Sequence, residues 1–217
     1  MLRANSDNNS LTGFDFTGSM SMLVGDVVKT HPAFSHIMPD NILVAISPSN
    51  GSRNGVVAKL RPMRFEGGSK TRMLRGIEYT APEVNINGNN ILYIVYFHLP
   101  RFLNHGKYKT KLSTVLHELY HISPLFNGDI RRFPGKNYAH GNSRKGYDEL
   151  INIYTDEYIR STLHPESGVF LKYKYSELKR KCGAIYGDMI RIPRSKLVNK
   201  FGVAKHLTLE DNITFPE

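Results

Sequence analysis

The stretch Ile91 to Leu99, ILYIVYFHL, constrains the fold more than any other part of this 217-residue chain. β-Branched and aromatic residues fall on both parities, so a strand over Ile91 to His98 is apolar on both faces. Such a strand belongs in the middle of a sheet, with cover on either side. Pro100 stops it. It is the longest apolar-rich run in the chain and is too short to span a bilayer.

Further strands are predicted upstream. One covers Ile42 to Ile46 and is closed by the turn-forming Ser47-Pro48-Ser49-Asn50-Gly51. Val56 to Leu60 is a second, and Gly76 to Ala81, beyond a break at Gly67-Gly68, is a third. Helical periodicity flanks them. Met20, Leu23, Val24, Val27 and Val28 share one helix face, with Asp15 or Thr17 as its cap and Pro32 past its end. After the long strand, Leu112, Val115, Leu116 and Leu119 form a second stripe, ended by Ser123-Pro124. Tyr147, Leu150, Ile151, Tyr154 and Tyr158 form a third, with Ser143 as its N-cap. The order helix, strands, two helices predicts an α+β fold with a small mixed or antiparallel sheet.

Residues 1–13 are polar and read as a flexible tail, residues 14–165 as the folded domain, and residues 166–217 as a basic C-terminal extension. Lys and Arg number 29 against 19 Asp and Glu, a formal charge of +10. From Lys172 to Lys200 nine Lys/Arg face two acids, a net +7. With Tyr173, Tyr175 and Tyr186 interleaved, segment 172–200 is a candidate for nucleic-acid binding through phosphates. The alternative is packing on the domain through Leu171, Leu178, Ile185 and Met189. The single cysteine, Cys182, rules out a disulfide framework and a zinc ribbon. The first residues lack an apolar signal core, so the expectation is a cytoplasmic protein with no membrane partner.

The residues that carry chemistry are His117-Glu118-Leu119-Tyr120-His121, an H-E-x-x-H motif. Residues four apart on a helix lie one turn apart on one face, so His117 and His121 can reach one metal ion. Imidazole ligands and room for water make zinc the default, one per chain. Glu118 sits about 100° around the helix, too far round for an obvious ligand yet close enough to touch a metal-bound water. The apolar stripe is offset from the histidines, so one side can pack while the other faces a cleft. A third ligand is required: His140, in Tyr138-Ala139-His140-Gly141, is the first candidate, with Asp148 or Glu149 on the next helix as alternatives and Asp129 also in reach. Tyr138, Tyr147 and Arg144 can each donate a hydrogen bond to an oxyanion, and Asp129 can instead hold a ligand histidine or pair with Arg131-Arg132.

HELYH followed by His140-Gly141 resembles the SprT-like (Spartan-like) zinc metallopeptidases, where a third histidine precedes a glycine after a similar gap. A longer set of segments is similar to the phage-type metallopeptidase family of phages and bacteria. It comprises Phe14-Asp15-Phe16-Thr17-Gly18, Arg64-Phe65-Glu66-Gly67-Gly68, Leu99-Pro100-Arg101-Phe102-Leu103, HELYHISPLFNGDIRRF from His117, Tyr138-Ala139-His140-Gly141 and Tyr147-Asp148. That likeness runs from Phe14 to Ile192. It implies a zincin-like domain, a sheet flanked by a metal-binding helix, with His117, His121 and His140 as zinc ligands and Glu118 as the catalytic residue. The expected activity is water-mediated hydrolysis of peptide bonds in a protein or peptide substrate, with Glu118 as general base. A nucleic-acid-associated binding protein with a structural or vestigial metal site is the rival reading. A peptide deformylase ranks low, because it needs a cysteine ligand upstream of the motif and Cys182 lies downstream.

Overall fold

The two-sided apolar run forms the middle strand of a three-stranded sheet. The computed structural model describes residues 13–50, 52, 54–134, 138–141 and 143–198. Residues 1–12 of the expected tail and 199–217 of the basic extension, Lys200 included, lie outside the described residues. In chain order the elements are β1 (Phe14–Asp15), α1 (Phe16–Thr30), β2 (Ile42–Pro48), β3 (Ala58–Pro62), β4 (Thr71–Leu74), β5 (Ile77–Thr80), β6 (Asn85–Ile86), β7 (Asn89–Asn90), β8 (Tyr93–Leu99), α2 (Arg101–Asn104), α3 (Tyr108–Tyr120), α4 (Arg144–Ser161), α5 (Tyr175–Cys182), β9 (Ile185–Tyr186) and β10 (Lys196–Leu197). The architecture is mixed α+β. Among the described residues no helix is long and apolar enough to cross a membrane.

β8 pairs in parallel with β2, Ile42 opposite Tyr93 through Pro48 opposite Leu99, and antiparallel with β3, Ala58 opposite Phe97 through Pro62 opposite Tyr93. The sheet is therefore mixed, and β3 is one of its edges. Alternation splits β8 between two cores. Tyr93, Val95, Phe97 and Leu99 join the main one with α1, α3 and α4, while Ile94 and Tyr96 pack with Met63, Val84, Ile91 and Ile190 on the other side.

The helices begin where local chemistry directs. Asp15 caps α1 by accepting from the Gly18 N–H at 2.9 Å, and Ser143 caps α4 by accepting from the Gly146 N–H at 3.1 Å. The strands shift more. The second starts at Ala58 and ends at Pro62, two residues beyond the predicted Val56 to Leu60, because its register with β8 and not its own composition sets its limits. The third is β5, which lies in a separate sheet of order β10-β5-β4. β4 carries no apolar alternation and is exposed throughout, so no periodic signal marks it. The segment beyond residue 165 shares the main core: Phe170, Leu171 and Leu178 are buried there, β9 pairs in parallel with β1, and Met189 bridges to Ile46.

Asp26 ties α1 to the end of α4. It is buried and accepts from the Tyr158 hydroxyl, from Thr162 Oγ1 at 2.7 Å and from Thr30 Oγ1 at 3.4 Å. Asp26→Ala leaves the buried Tyr158 hydroxyl without this acceptor. We expect a loss of about 2–3 kcal/mol, read as a lower urea midpoint at unchanged slope. A loss under about 0.5 kcal/mol, the range of ordinary surface substitutions, contradicts this role.

Candidate metal centre

Helix α3 is aimed by its apolar stripe. Leu112, Val115, Leu116 and Leu119 are all buried against the sheet side of the core, which turns His117 away from it. The helix ends at Tyr120, and His121 is its C-cap residue. The chain then folds back: Ile122 bridges Ile130, and the Arg131 N–H donates to the His121 carbonyl at 2.6 Å. Gly128 makes that return possible. Its φ is +84°, and a Cβ there would lie 2.5 Å from Arg64 Cγ. Gly141, at φ +70°, turns the chain after His140 towards α4.

This return brings three imidazoles together. His117, His121 and His140 each offer a ring nitrogen, and these nitrogens lie within 4.8 Å of one another. His117 Nε2 and His121 Nε2 face each other at 3.1 Å. With metal–imidazole bonds of about 2.0–2.1 Å, the edge of a tetrahedral site is about 3.3 Å, so the pair is already spaced as two ligands of one ion. The second nitrogens also have polar neighbours. His121 Nδ1 lies 3.4 Å from the Tyr147 hydroxyl, and His117 Nδ1 lies 3.8 Å from Asp148 Oδ1. Partners of this kind fix ring orientation at metal sites.

The electrostatics favour uncharged rings. Burial lowers the His117 pKa to about 4, helped by His140 and opposed by Asp148. Burial lowers that of His121 to about 3, with His117 and His140 adding to the effect. His140 is also lowered, first by burial and then by Arg144. At neutral pH all three keep a lone pair for a cation. Three imidazoles are a donor set that suits a transition-metal ion.

Glu118 stands outside the group. It is only 9% exposed, and its Oε2 accepts from the Leu60 N–H of β3 at 2.7 Å. Burial pushes its pKa up to about 7, against the lowering effects of that N–H and of Lys59. Tyr147 does belong to the cluster: it is buried, its ring stacks on His121 at 5.5 Å, and its hydroxyl also donates to the His117 carbonyl at 3.3 Å. Desolvation raises its pKa far above the usual value, so it remains a hydrogen-bond donor.

The other candidates lie around the centre. Asp148 sits on its rim, half exposed, with Arg144 4.0 Å away and largely in solvent. Glu149 turns to Lys145, 3.8 Å away. The Asp129 carboxylate is engaged by the Ile130 N–H, by the Gly67 N–H and by Arg132, which grips both oxygens at 2.9 and 3.1 Å; none of these partners is a ligand histidine. Tyr138 is exposed, with the Arg132 guanidinium 5.0 Å over its ring. Sequence reasoning missed two contributors. The Leu60 N–H is a backbone group and leaves no trace in residue identity. Arg131 stacks on Tyr120 at 4.1 Å and donates to its carbonyl, a placement that only the fold-back of the loop creates.

The chain should take up one cobalt(II) ion, a visible stand-in for other divalent metals, with the ligand-field spectrum of a four-coordinate site. His117→Ala, His121→Ala and His140→Ala should each abolish that spectrum, whereas Glu149→Gln should leave it intact. Retention of the spectrum in His140→Ala would remove His140 from the centre. Comparison with known protein families, with curated proteins and with solved structures finds no match to this chain.

Proposed function

We propose that this chain is a zinc-dependent metallopeptidase of zincin-like fold, cutting peptide bonds with water as nucleophile. The observation that carries the reading is the convergence of His140 on His117 and His121 with Glu118 beside them but held outside the ligand group. Three histidines, with no fourth side chain in the cluster among the described residues, match the ligand count of a catalytic site, which keeps one position open. A closed structural site would call for four protein ligands.

Zinc held by the three histidines supplies Lewis acidity, lowering the pKa of water to about 7 and polarising a carbonyl. The remaining steps belong to the chain. Glu118 takes the proton from the attacking water and returns it to the leaving amine. The Leu60 N–H orients that carboxylate, and β3 is an edge strand along which an extended peptide can lie. Tyr147 gives its hydroxyl proton to the His117 carbonyl, and its oxygen can accept from the Nδ1–H of a His121 that ligates through Nε2, so it holds both residues in place. No nucleophilic side chain is needed.

Glu118→Gln separates ligation from catalysis. The variant should bind zinc with the wild-type stoichiometry, because Glu118 is not a ligand. It should lose casein- or peptide-cleaving activity by about 10²–10⁴-fold, because the amide cannot accept a proton. Zinc-loaded wild type that cleaves none of a diverse peptide library would overturn the reading. Equal loss of zinc in Glu118→Gln and His121→Ala would overturn the division of roles.

A further inference from the structure

The two segments that frame the histidine cluster also enclose a cavity. On β3, Leu60 holds Glu118, and the next two residues, Arg61 and Pro62, line a space of about 540 Å³. On the returning loop, Arg131 holds the His121 carbonyl, and its neighbour Arg132 lines the same space with Tyr138, two residues before His140. Four arginines, Arg61, Arg64, Arg72 and Arg132, stand in its wall against two acids, Glu66 and Asp129.

Those charges are unequally engaged. Arg64 is buried, donates to the Met63 carbonyl and lies 3.6 Å from Glu83. Arg132 takes both wall acids: Asp129 grips it at 2.9 Å and Glu66 lies at 3.6 Å. Arg61 and Arg72 have no carboxylate within ion-pair distance among the described residues. Arg61 gives one N–H to the Pro193 carbonyl at 3.2 Å, and its Nε has no hydrogen-bond partner. Arg72 is exposed, its guanidinium 5.5 Å over the Phe65 ring. Phe65, Leu74 and Tyr79 supply apolar wall, which strengthens any charge pair formed inside.

We infer that this cavity takes the carboxylate side chain of an acidic peptide residue, held by Arg61 and Arg72. A peptide lying beside β3, beyond the Leu60 N–H that Glu118 takes, carries its neighbouring side chains towards Arg61 and Pro62. The cavity therefore sets a preference for Asp or Glu beside the bond that is cut, a consequence that rests on the metallopeptidase reading. The apolar rings suit the methylenes of a glutamate better than a bare phosphate, which favours peptide over nucleic acid.

Two readouts on the full chain test this. In the first, anisotropy of dye-labelled hexaglutamate, hexaglutamine and (dT)6 is measured at physiological salt, with and without zinc. Hexaglutamate should bind about tenfold tighter than hexaglutamine, the worth of one charge-assisted hydrogen bond, and independently of zinc. Arg72→Glu, at an exposed position, and Arg61→Gln should each remove that advantage. Lys179→Gln/Arg180→Gln/Lys181→Gln on α5 should not. Equal binding of the two peptides, loss confined to the α5 variant, or a stronger dependence of (dT)6 than of hexaglutamate on Arg61 and Arg72 would overturn the assignment. In the second readout, zinc-loaded protein cleaves a peptide library, and kcat/KM for acidic residues near the cut should fall about tenfold in Arg72→Glu. Cleavage without acidic preference sinks the cavity proposal and leaves the peptidase standing. Selective hexaglutamate binding without any cleavage does the reverse.

Discussion

Strand β8 has no face to give to solvent, and the placement of the other elements follows from covering it. Its Tyr93, Val95, Phe97 and Leu99 side must be roofed by helices, and α3 supplies part of that roof through Leu112, Val115, Leu116 and Leu119. Once that stripe is seated, the helix has no rotational freedom left. His117 and His121 then look along the side of the helix towards α4, and the Glu118 carboxylate comes down on the edge of β3. The hydrogen bond from the Leu60 N–H is thus a meeting of helix and sheet that the packing of β8 enforces. It also satisfies an edge-strand donor that would otherwise be left without a strand partner.

The same burial gives the cluster its chemistry. An imidazole on a solvated helix face carries a proton part of the time near neutrality. His117 and His121 are held neutral because α4 closes over them, with Tyr147 buried between the helices and touching both residues. Two facing Nε2 atoms at 3.1 Å form at best one hydrogen bond between them, and they can share a cation with both lone pairs. Such an arrangement is poorly explained as a surface helix with two incidental histidines, for which the rings would point into water.

The sequence made legible what is decided locally. Asp15 and Ser143 cap helices as read, since a cap is a hydrogen bond over three residues. The centrality of β8 was legible because two-faced apolarity has few other uses. The spacing of His117 and His121 follows from helix geometry, and His140 could be named because a loop before a helix is free to turn back. The limits of β3 were not legible, because register with β8 overrides its own residues. β4 was invisible because all four of its side chains are exposed. Buried Lys111, which donates to the Tyr173 carbonyl at 2.7 Å from within the apolar stripe of α3, reads as a surface residue in sequence and joins α3 to the segment before α5 only in three dimensions. Asp129 is the converse: its acid beside two arginines suggested an ion pair, and that is how it is used.

The loop between His121 and His140 links the two halves of the site through this ion pair. Asp129 accepts from its own neighbour Ile130, from Gly67 across the cavity and from Arg132, while its carbonyl accepts from the buried Tyr93 hydroxyl of β8. Its carboxylate is nearly saturated and its backbone is pinned to the central strand, so the loop has a fixed foot from which to deliver His140. By neutralising Arg132, Asp129 also decides which arginines of the cavity remain without an acid. A substitution there would act on the placement of His140 and on cavity charge together, although no hydrogen bond or ion pair joins the Asp129 carboxylate to a histidine or to Arg61. Arg72 and Arg61 lie on other segments, the β4–β5 hairpin and β3, so their charge can be altered without moving that foot. That separation allows the proposed anion site and the histidine cluster to be altered independently by substitution, even though one loop borders both.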